Sequence, residues 1–468
     1  MKLGSEINKN MSIIDATLKP EKSFDVIKRE FIIGGKAATL YFIDGFIKDT
    51  VFSKIMQFLF SLTPEKLQGI YNMEQYMKQF MPYVEVAYSA DSDKVITQIL
   101  SGPAVLLIDG ISDALIIDVR EYPVRSIDQP QKDRSLRGSR DGFVETLIFN
   151  SCMIRRRIRD PRLRMEYHQI GNFSKVDMSI CFIEGVADEK VVKNLRKALK
   201  KIDLDGISMT SEAVAETLVP STFFNPFPKI RYSERPDYTS ACILEGKVVL
   251  IMDNSPVVMI FPTSFADFIK ETDDYYFPPL TGTYVRLVRF IVVIFTILLT
   301  PLTLLFINNP TWTPDWLTFI LPKSQAGISI FAQFIFLEII IDGLRLASLN
   351  TPDSQASALG IIGGLLLSEF AVNAGWFVPE AILYMSFVAI SSYSQPSFEM
   401  GYAMKFLRIF TLILTQIFGL FGLIAGFATG ILTMLFSKTL SGRNYLYPII
   451  PFNFKELMKL IVRTKIVK

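Results

Sequence analysis

Residues 290–307 read FIVVIFTILLTPLTLLFI, and this stretch decides the fold. An apolar run of this length can cross the hydrocarbon core of a bilayer as a helix. Pro301 lies inside the run and predicts a kink. Arg286 and Arg289 precede it, and basic residues beside a first span favour the cytoplasm for the chain before it. The stretch therefore predicts a first transmembrane helix with a cytoplasmic N-terminal region.

Charge and hydropathy are segregated along the chain on either side of this run. The chain has 468 residues, of which 50% are hydrophobic and 20% charged, with a net charge of +3. Nearly all acidic side chains precede Asp274, whereas residues 287–437 hold long apolar runs. Residues 1–12 are polar and lack the apolar core of a signal peptide. We expect a soluble region followed by an all-α polytopic membrane bundle.

The second apolar segment, residues 326–349, contains three ionisable side chains. Glu338, Asp342 and Arg345 are spaced i, i+4 and i+7, so a helix places them on one face. Charge at membrane depth is tolerated where it is paired or turned towards water or protein. Two interpretations stay open for this intramembrane polar face, an ion pair within the helix near one interface or the lining of an ion path.

The third apolar segment, residues 356–391, is interrupted by Gly375 and Pro379. Neither part spans a bilayer comfortably, so we expect a broken helix or a re-entrant hairpin buried in protein. Its first part combines small residues, an apolar centre and a carboxylate, as a narrow pore-lining helix would. The candidate pore or gate residues are Leu365, Leu366, Leu367, Glu369 and Asn373.

The last apolar segment, residues 406–436, is about 46 Å long as a straight helix and exceeds the bilayer core. It is predicted to tilt, protrude or break near Gly419. Glycines recur every four residues and favour close helix packing: Gly422, Gly426 and Gly430. The basic tail that follows favours a cytoplasmic C-terminus, hence an even number of crossings, for which we expect four.

The soluble region contains an internal repeat. YFIDG at residues 41–45 and CFIEG at residues 181–185 each lead into an amphipathic helical pattern. Each copy then ends in two β-rich runs around a turn residue, Gly110 or Asn254, which is typical of a hairpin. We therefore expect an α/β soluble region of two similar subdomains.

These patterns divide the chain into four parts. We expect a cytoplasmic α/β subdomain at 1–120, a linker motif with a second α/β subdomain at 121–280, a transmembrane domain with one broken span at 281–440, and a basic cytoplasmic tail at 441–468.

A distinctive motif separates the two copies. Residues 137–150 read RGSRDGFVETLIFN and run into a helical pattern that ends in several arginines. Charges spaced around two glycines suit a fixed loop that joins the subdomains or neighbouring subunits. The candidate assembly residues are Arg137, Arg140, Asp141 and Glu145.

Sequence signals for catalysis are missing. The chain contains none of the common phosphate-binding, dinucleotide-binding, zinc-protease or serine-hydrolase motifs. His168 is its only histidine, and the three cysteines are unpatterned. The arginine cluster lies in a region that is not strongly basic, so a solvated face, a subunit contact or anionic lipid is favoured over nucleic acid. We expect no enzyme activity, cofactor, metal or nucleic-acid partner.

Residues 137–150, followed by RRRIRDP at 155–161, resemble the signature of the A subunits of GerA-type bacterial spore germination receptors. The order of the parts agrees over essentially the whole chain. The wording of the motif is most similar to the stage V sporulation AF branch of that family.

This resemblance implies a ring-shaped homo-oligomer, possibly a pentamer, in the spore inner membrane, with both termini cytoplasmic. It implies an ion channel that releases monovalent cations during germination, with other germination membrane subunits as partners. Two other functions stay open on the residues, a secondary transporter with broken helices and a membrane scaffold for a cytosolic assembly. A scaffold would not need Glu338, Asp342 and Glu369 in its spans.

Overall fold

The computed structural model describes residues 1–122, 138–202, 210–219, 224–271, 273–349, 364 and 370–463. The chain divides into two compact units. The first unit comprises residues 1–220 and 230–262, and the second comprises residues 221–229 and 263–468.

The first unit contains two five-stranded antiparallel sheets with the same topology. The strand orders are β1-β2-β4-β5-β3 and β6-β7-β9-β10-β8, so each strand of one sheet has a counterpart in the other. The predicted internal repeat is confirmed. The strands are β1 Val26–Ile33, β2 Lys36–Ile43, β3 Val86–Ser89, β4 Ala104–Ile108, β5 Ala114–Ile117, β6 Leu163–Ile170, β7 Val176–Ile183, β8 Arg231–Ser233, β9 Val248–Met252 and β10 Val258–Phe261.

Helices pack against both sheets of this unit. In the first subdomain, buried side chains form a hydrophobic cluster that includes residues of α2 and α4, and a second cluster that includes residues of α1 and α5. The helices are α1 Ile7–Leu18, α2 Asp49–Phe60, α3 Pro64–Leu67, α4 Met73–Phe80, α5 Ser92–Ser101, α6 Leu147–Arg157, α7 Glu189–Leu199, α8 Thr210–Leu218 and α9 Pro236–Leu244, with a 3₁₀ turn at Pro20–Lys22.

The two predicted hairpins form as expected. β4 pairs with β5 and β9 pairs with β10, both antiparallel. The turn residues Gly110 and Asn254 have φ of 81° and 60°. This left-handed conformation costs glycine and asparagine less than most residues, which explains why the sequence signals were readable.

Helix α6 links the two subdomains through a buried ion pair. The Arg155 guanidinium donates to the Asp25 carboxylate at 2.7 Å and 3.2 Å, and to the carbonyl of Leu163 at 3.2 Å. Both charged side chains are almost completely buried. Asp25 directly precedes β1, whereas Leu163 begins β6, so one arginine joins the edges of both sheets.

The three cysteines are free and buried. Burial raises the pKa of the Cys152 and Cys181 thiols, which therefore stay protonated and unreactive at neutral pH.

The second unit is helical. Its longest helix, α12, contains the apolar run and Pro301. The fold class expected from the sequence, α/β followed by all-α, is confirmed. The helices are α10 Phe265–Ile269, α11 Asp273–Tyr276, α12 Pro279–Asn308, α13 Ile330–Leu349, α14 Ala371–Asn373, α15 Pro379–Tyr393, α16 Phe398–Phe418, α17 Leu420–Phe436 and α18 Phe454–Ile461, with 3₁₀ turns at Pro310–Trp312 and Asp315–Ile320.

Of the three alternatives expected for the last apolar segment (tilting, protruding or breaking near Gly419), the structure shows the break, and the chain reverses its direction there. Gly419 adopts φ 58° and ψ −131° between α16 and α17. A side chain at Gly422 would overlap the carbonyl of Leu414, and one at Gly426 would lie 2.8 Å from the Thr411 Cα. The two helices therefore pack antiparallel along the glycine stripe, so the last apolar segment, which the four-span prediction counted as one crossing, consists of two helices.

The two ends of the helical bundle meet. The Arg463 amide donates to Thr283 Oγ1 at 3.1 Å, and Arg286 donates to the carbonyl of Leu460 at 3.4 Å. The tail thus returns to the first turns of α12.

Arg286 and Arg289 are buried in an ionic cluster rather than exposed beside the first span. Both pair with Asp274, at 3.2 Å and 3.0 Å, and Arg289 also bonds Glu271 at 2.7 Å. Asp274 is itself completely buried. The sequence interpretation treated the two arginines as a free basic signal and missed their acidic partner.

Replacing Asp25 by Asn should weaken the first unit. The change leaves the buried Arg155 without its charge partner, which costs about 3–5 kcal/mol. Peptide-level hydrogen exchange on the full protein should show faster exchange in β1 and β6. Asp160→Asn is the control, because its partner Arg162 is exposed and such pairs contribute about 0–1 kcal/mol. Equal protection in both variants would contradict the role given to the buried pair.

Gly422→Ala should separate α16 from α17. The added methyl meets backbone atoms of Leu414, which cannot turn aside as a side chain can. Overpacking of this kind costs about 1–3 kcal/mol, visible as a lower melting temperature in detergent. Gly343→Ala in α13 is the control, since nothing lies within 4 Å of its added Cβ. A melting temperature that falls equally in both variants would contradict tight glycine packing at this hairpin.

Candidate functional site

The candidate site is a buried ionic cluster between α13 and α16. Glu338 and Asp342 come from α13, whereas Lys405 and Arg408 come from α16. Arg408 Nε donates to Glu338 Oε1 at 2.7 Å, and Lys405 Nζ lies 3.3 Å from Glu338 Oε2. Lys405 also forms a short ion pair with Asp342. The pairs cross in opposite order along the two helices, so α13 and α16 are antiparallel.

Helix α12 also contributes to the cluster. Arg408 Nη1 donates to the carbonyl of Thr296 at 2.8 Å. Pro301 has no amide hydrogen to donate, which interrupts the hydrogen-bond ladder of α12 one turn further on. A single guanidinium therefore ties α16 to α13 through a carboxylate and to α12 through its backbone.

Arg345, the third charged residue of α13, faces aromatic rings. Its guanidinium carbon lies 4.0 Å from the ring centre of Phe398, 5.1 Å from that of Tyr402 and 5.2 Å from that of Tyr393. Such geometry is favourable for a cation over the negative face of a ring. The rings come from α16 and the end of α15, so Arg345 joins three helices.

A small cavity lies at the centre of this cluster. Its volume is about 20 Å³, and all five ionisable residues line it together with residues of α15 and α16. A polar cavity of this size holds about one water molecule. Among the described residues, the side chains of the cluster thus leave space for about one water molecule between them.

Because they are buried, the charged side chains of the cluster depend on one another for stability. Glu338 is 4% exposed and Arg408 2% exposed, while the Asp342 side chain keeps 34% exposure. Removing one partner of a buried pair is strongly destabilising because the other charge is left uncompensated. Loss of one charged side chain is therefore expected to destabilise the other members of the cluster as well.

The predicted polar face of α13 is thus present, but its pairing is interhelical. Sequence reasoning considered an ion pair within α13, whereas the structure assigns both carboxylates to cations of α16. Lys405 was missed because the last apolar segment was taken to begin at 406, and Arg408 was missed although it lies inside that segment. Their spacing of three residues at the start of an apolar helix was the available signal.

Of the five predicted gate residues, the structure describes Asn373. Leu365, Leu366, Leu367 and Glu369 lie outside the described residues. Asn373 ends α14 and is exposed. The neighbouring Gly375 carbonyl accepts from the Gly327 amide at 2.9 Å, so Asn373 lies near the start of α13, away from Arg345.

The assembly motif folds onto the second subdomain. Arg137 lies outside the described residues, and Arg140 and Glu145 are exposed. Asp141 pairs with Arg157 of α6 at 2.5 Å. Glu145 also holds the motif, because its backbone carbonyl accepts from the Asn254 amide at 2.7 Å. The side chains of Arg140 and Glu145 are at the surface.

The helices of the second unit indicate the class of protein to which the chain belongs. Two described helices, α12 and α16, are long and apolar enough by length and composition to cross a membrane, and α17 is a shorter apolar helix. Together with the α/β unit, they indicate a membrane-associated protein with a folded soluble part and a charged core between its helices.

Comparison with known proteins identifies the family. Residues 13–468 match the family described as Bacillus/Clostridium GerA spore germination protein, and the chain belongs to this family.

Individual relatives cover nearly the full chain. It is 36% identical to stage V sporulation protein AF of Bacillus subtilis (strain 168), over 94% of this chain and 89% of that protein. It is 30% identical to spore germination protein KA of the same organism, over 94% and 81%. A solved structure, the N-terminal domain of the A subunit of the Bacillus megaterium spore germinant receptor GerK3, covers 56% of this chain and 96% of that one, with 26% identity and a TM-score of 0.42.

Glu338→Gln should destabilise the second unit by about 3–5 kcal/mol, because Arg408 and Lys405 would share one carboxylate fewer. Thermal unfolding of the purified protein in detergent measures this. Glu399→Gln is the control, since this carboxylate is exposed at the start of α16 and its loss should stay within about 0.5 kcal/mol.

Exchanging the charges tests the pairing directly. Glu338→Arg combined with Arg408→Glu should recover part of the stability lost in either single variant. Additive losses in the double variant would show that the two side chains do not act as a pair.

Proposed function

We propose that this chain is an ion-conducting subunit of a spore germination complex, with the α13–α16 ionic cluster as the fixed frame of its pore. The observation that carries the proposal is the buried cluster itself. Intramembrane charge is retained at a cost, and it commonly marks ion pathways or the elements that hold them.

The cluster lies next to the predicted pore segment in sequence. Leu349 ends α13 just beyond Arg345. The predicted gate at Leu366 and the carboxylate of Glu369 follow α13 along the chain and lie outside the described residues. The cluster therefore clamps the helix that precedes the predicted gate in the chain.

The cluster supports a rigid frame rather than a moving part. Separating α13 from α16 would leave Glu338 and Arg408 buried and uncompensated. Opening is then confined to the apolar gate, which conducts when it becomes wetted. The soluble unit or a partner supplies the displacement that widens it.

The remaining features of the proposal are those implied by the resemblance to the A subunits of spore germination receptors. The proposed complex is a homo-oligomer, for which we expect a pentamer, in the spore inner membrane, with both termini in the cytoplasm. It releases monovalent cations during germination, alongside other germination membrane subunits, and performs no enzymatic reaction. The meeting of the tail with the start of α12 supports termini on one side of the membrane.

Leu366→Ala should increase basal cation leak, because a smaller side chain widens and wets an apolar constriction. Glu369→Gln should lower the preference for cations over anions by removing the attracting carboxylate. Monovalent cation flux and reversal potential are measured on purified protein in vesicles, with and without candidate partner subunits. Leu383→Ala and Glu399→Gln, both at exposed positions, are the matched controls. Wild-type flux and selectivity in both test variants, at normal expression, would remove this segment from the pore.

A further inference from the structure

The end of the described chain exposes an unusual number of bulky apolar side chains. They lie on α18 and on the turn before it, close together in sequence. These residues are Ile449, Ile450, Phe452, Phe454 and Met458.

Helix α18 is amphipathic, and only part of its apolar face is used by the protein. Leu460 packs inwards and is buried. Phe454, which is 64% exposed, and Met458 lie one turn apart and point away from the bundle. The Lys455 side chain is exposed beside them. A helix with an apolar face bordered by lysine is typical of the membrane interface.

The position of α18 is fixed by the start of α12. Arg286 donates to the Leu460 carbonyl at 3.4 Å, and the Arg463 amide donates to Thr283 Oγ1 at 3.1 Å. The Arg463 side chain also donates to the carbonyl of Asp274 at 3.1 Å. These bonds hold the helix against the first two turns of α12.

This attachment point sets the depth of α18 relative to the apolar run. Helix α12 has 30 residues, about 45 Å, which is longer than a hydrocarbon core of about 30 Å. The apolar run begins at Phe290, so Arg286 lies about 6 Å before it along the helix axis. The exposed face of α18 is therefore held at the level of lipid headgroups.

We infer that α18 and the turn before it form a lipid-binding surface that inserts into the interface of the membrane crossed by α12. Phe452, Phe454 and Met458 enter the boundary of the acyl chains, while Lys455 lies among anionic headgroups. Lipid is favoured over a protein partner because the face is continuous with the start of a candidate span. The apolar side chains of this face also suit acyl chains, and Lys455 beside them suits anionic headgroups.

The test uses single cysteine variants of the full-length protein carrying an environment-sensitive fluorophore. Phe454→Cys and Met458→Cys report on the surface. Ile294→Cys, exposed on the apolar run of α12, is the positive control, and Phe173→Cys, an exposed phenylalanine of the first unit, is the aqueous control. Each is placed in vesicles of phosphatidylcholine with phosphatidylglycerol, and quenching by aqueous iodide is compared with quenching by brominated lipid.

The labels at 454 and 458 should be quenched by brominated lipid and protected from iodide, as at 294. Iodide quenching at 454 and 458, with the label at 294 in lipid, would overturn the inference and leave this face to a protein partner. If the label at 294 were also in water, the membrane assignment of α12 would fail first, so the two failures are distinguishable.

The charge component has its own measurement. Lys455→Gln, with the label at 458, should lower the ratio of lipid-docked to undocked label about fivefold in phosphatidylglycerol vesicles. The same substitution should have little effect in pure phosphatidylcholine. Equal docking of both proteins in both lipids would overturn the assignment of Lys455 to anionic headgroups.

Discussion

The Arg408 guanidinium is the interaction on which the second unit depends. It binds the Glu338 carboxylate of α13 and the Thr296 carbonyl of α12 from its own place on α16. Because all of these groups are buried, none can be released without leaving charge or a polar group uncompensated. Arg408 thereby fixes the positions of α12, α13 and α16 relative to one another.

The parts of the fold that follow local rules were predictable from the sequence. The hairpin turns at Gly110 and Asn254 need a positive φ, and the reversal at Gly419 separates two apolar runs that are too long together for one span. Arg155 and Asp25 were not predictable as a pair, since 130 residues separate them and only the packed subdomains bring them together.

In the candidate site, too, the local features were predictable from the sequence and the tertiary contacts were not. The spacing of Glu338, Asp342 and Arg345 predicted a shared polar face on α13, because helical periodicity is local. Their partners on α16 could not be assigned, because the register of two packed helices is a tertiary property. The aromatic surroundings of Arg345 depend on that register as well. Of the five predicted gate residues, four lie outside the described residues and remain predictions: Leu365, Leu366, Leu367 and Glu369.

The central claim is that α13 and α16 stay clamped while the pore opens. A disulfide between Asp342→Cys and Lys405→Cys tests it most directly, because it replaces one ion pair by a covalent link and leaves Glu338 with Arg408. The native thiols are buried and do not compete. Cation flux in vesicles is measured after oxidation and again after reduction. If α13 and α16 stay clamped, the cation flux should be the same in the oxidised and the reduced protein. Flux that is lost on oxidation and regained on reduction would contradict this claim.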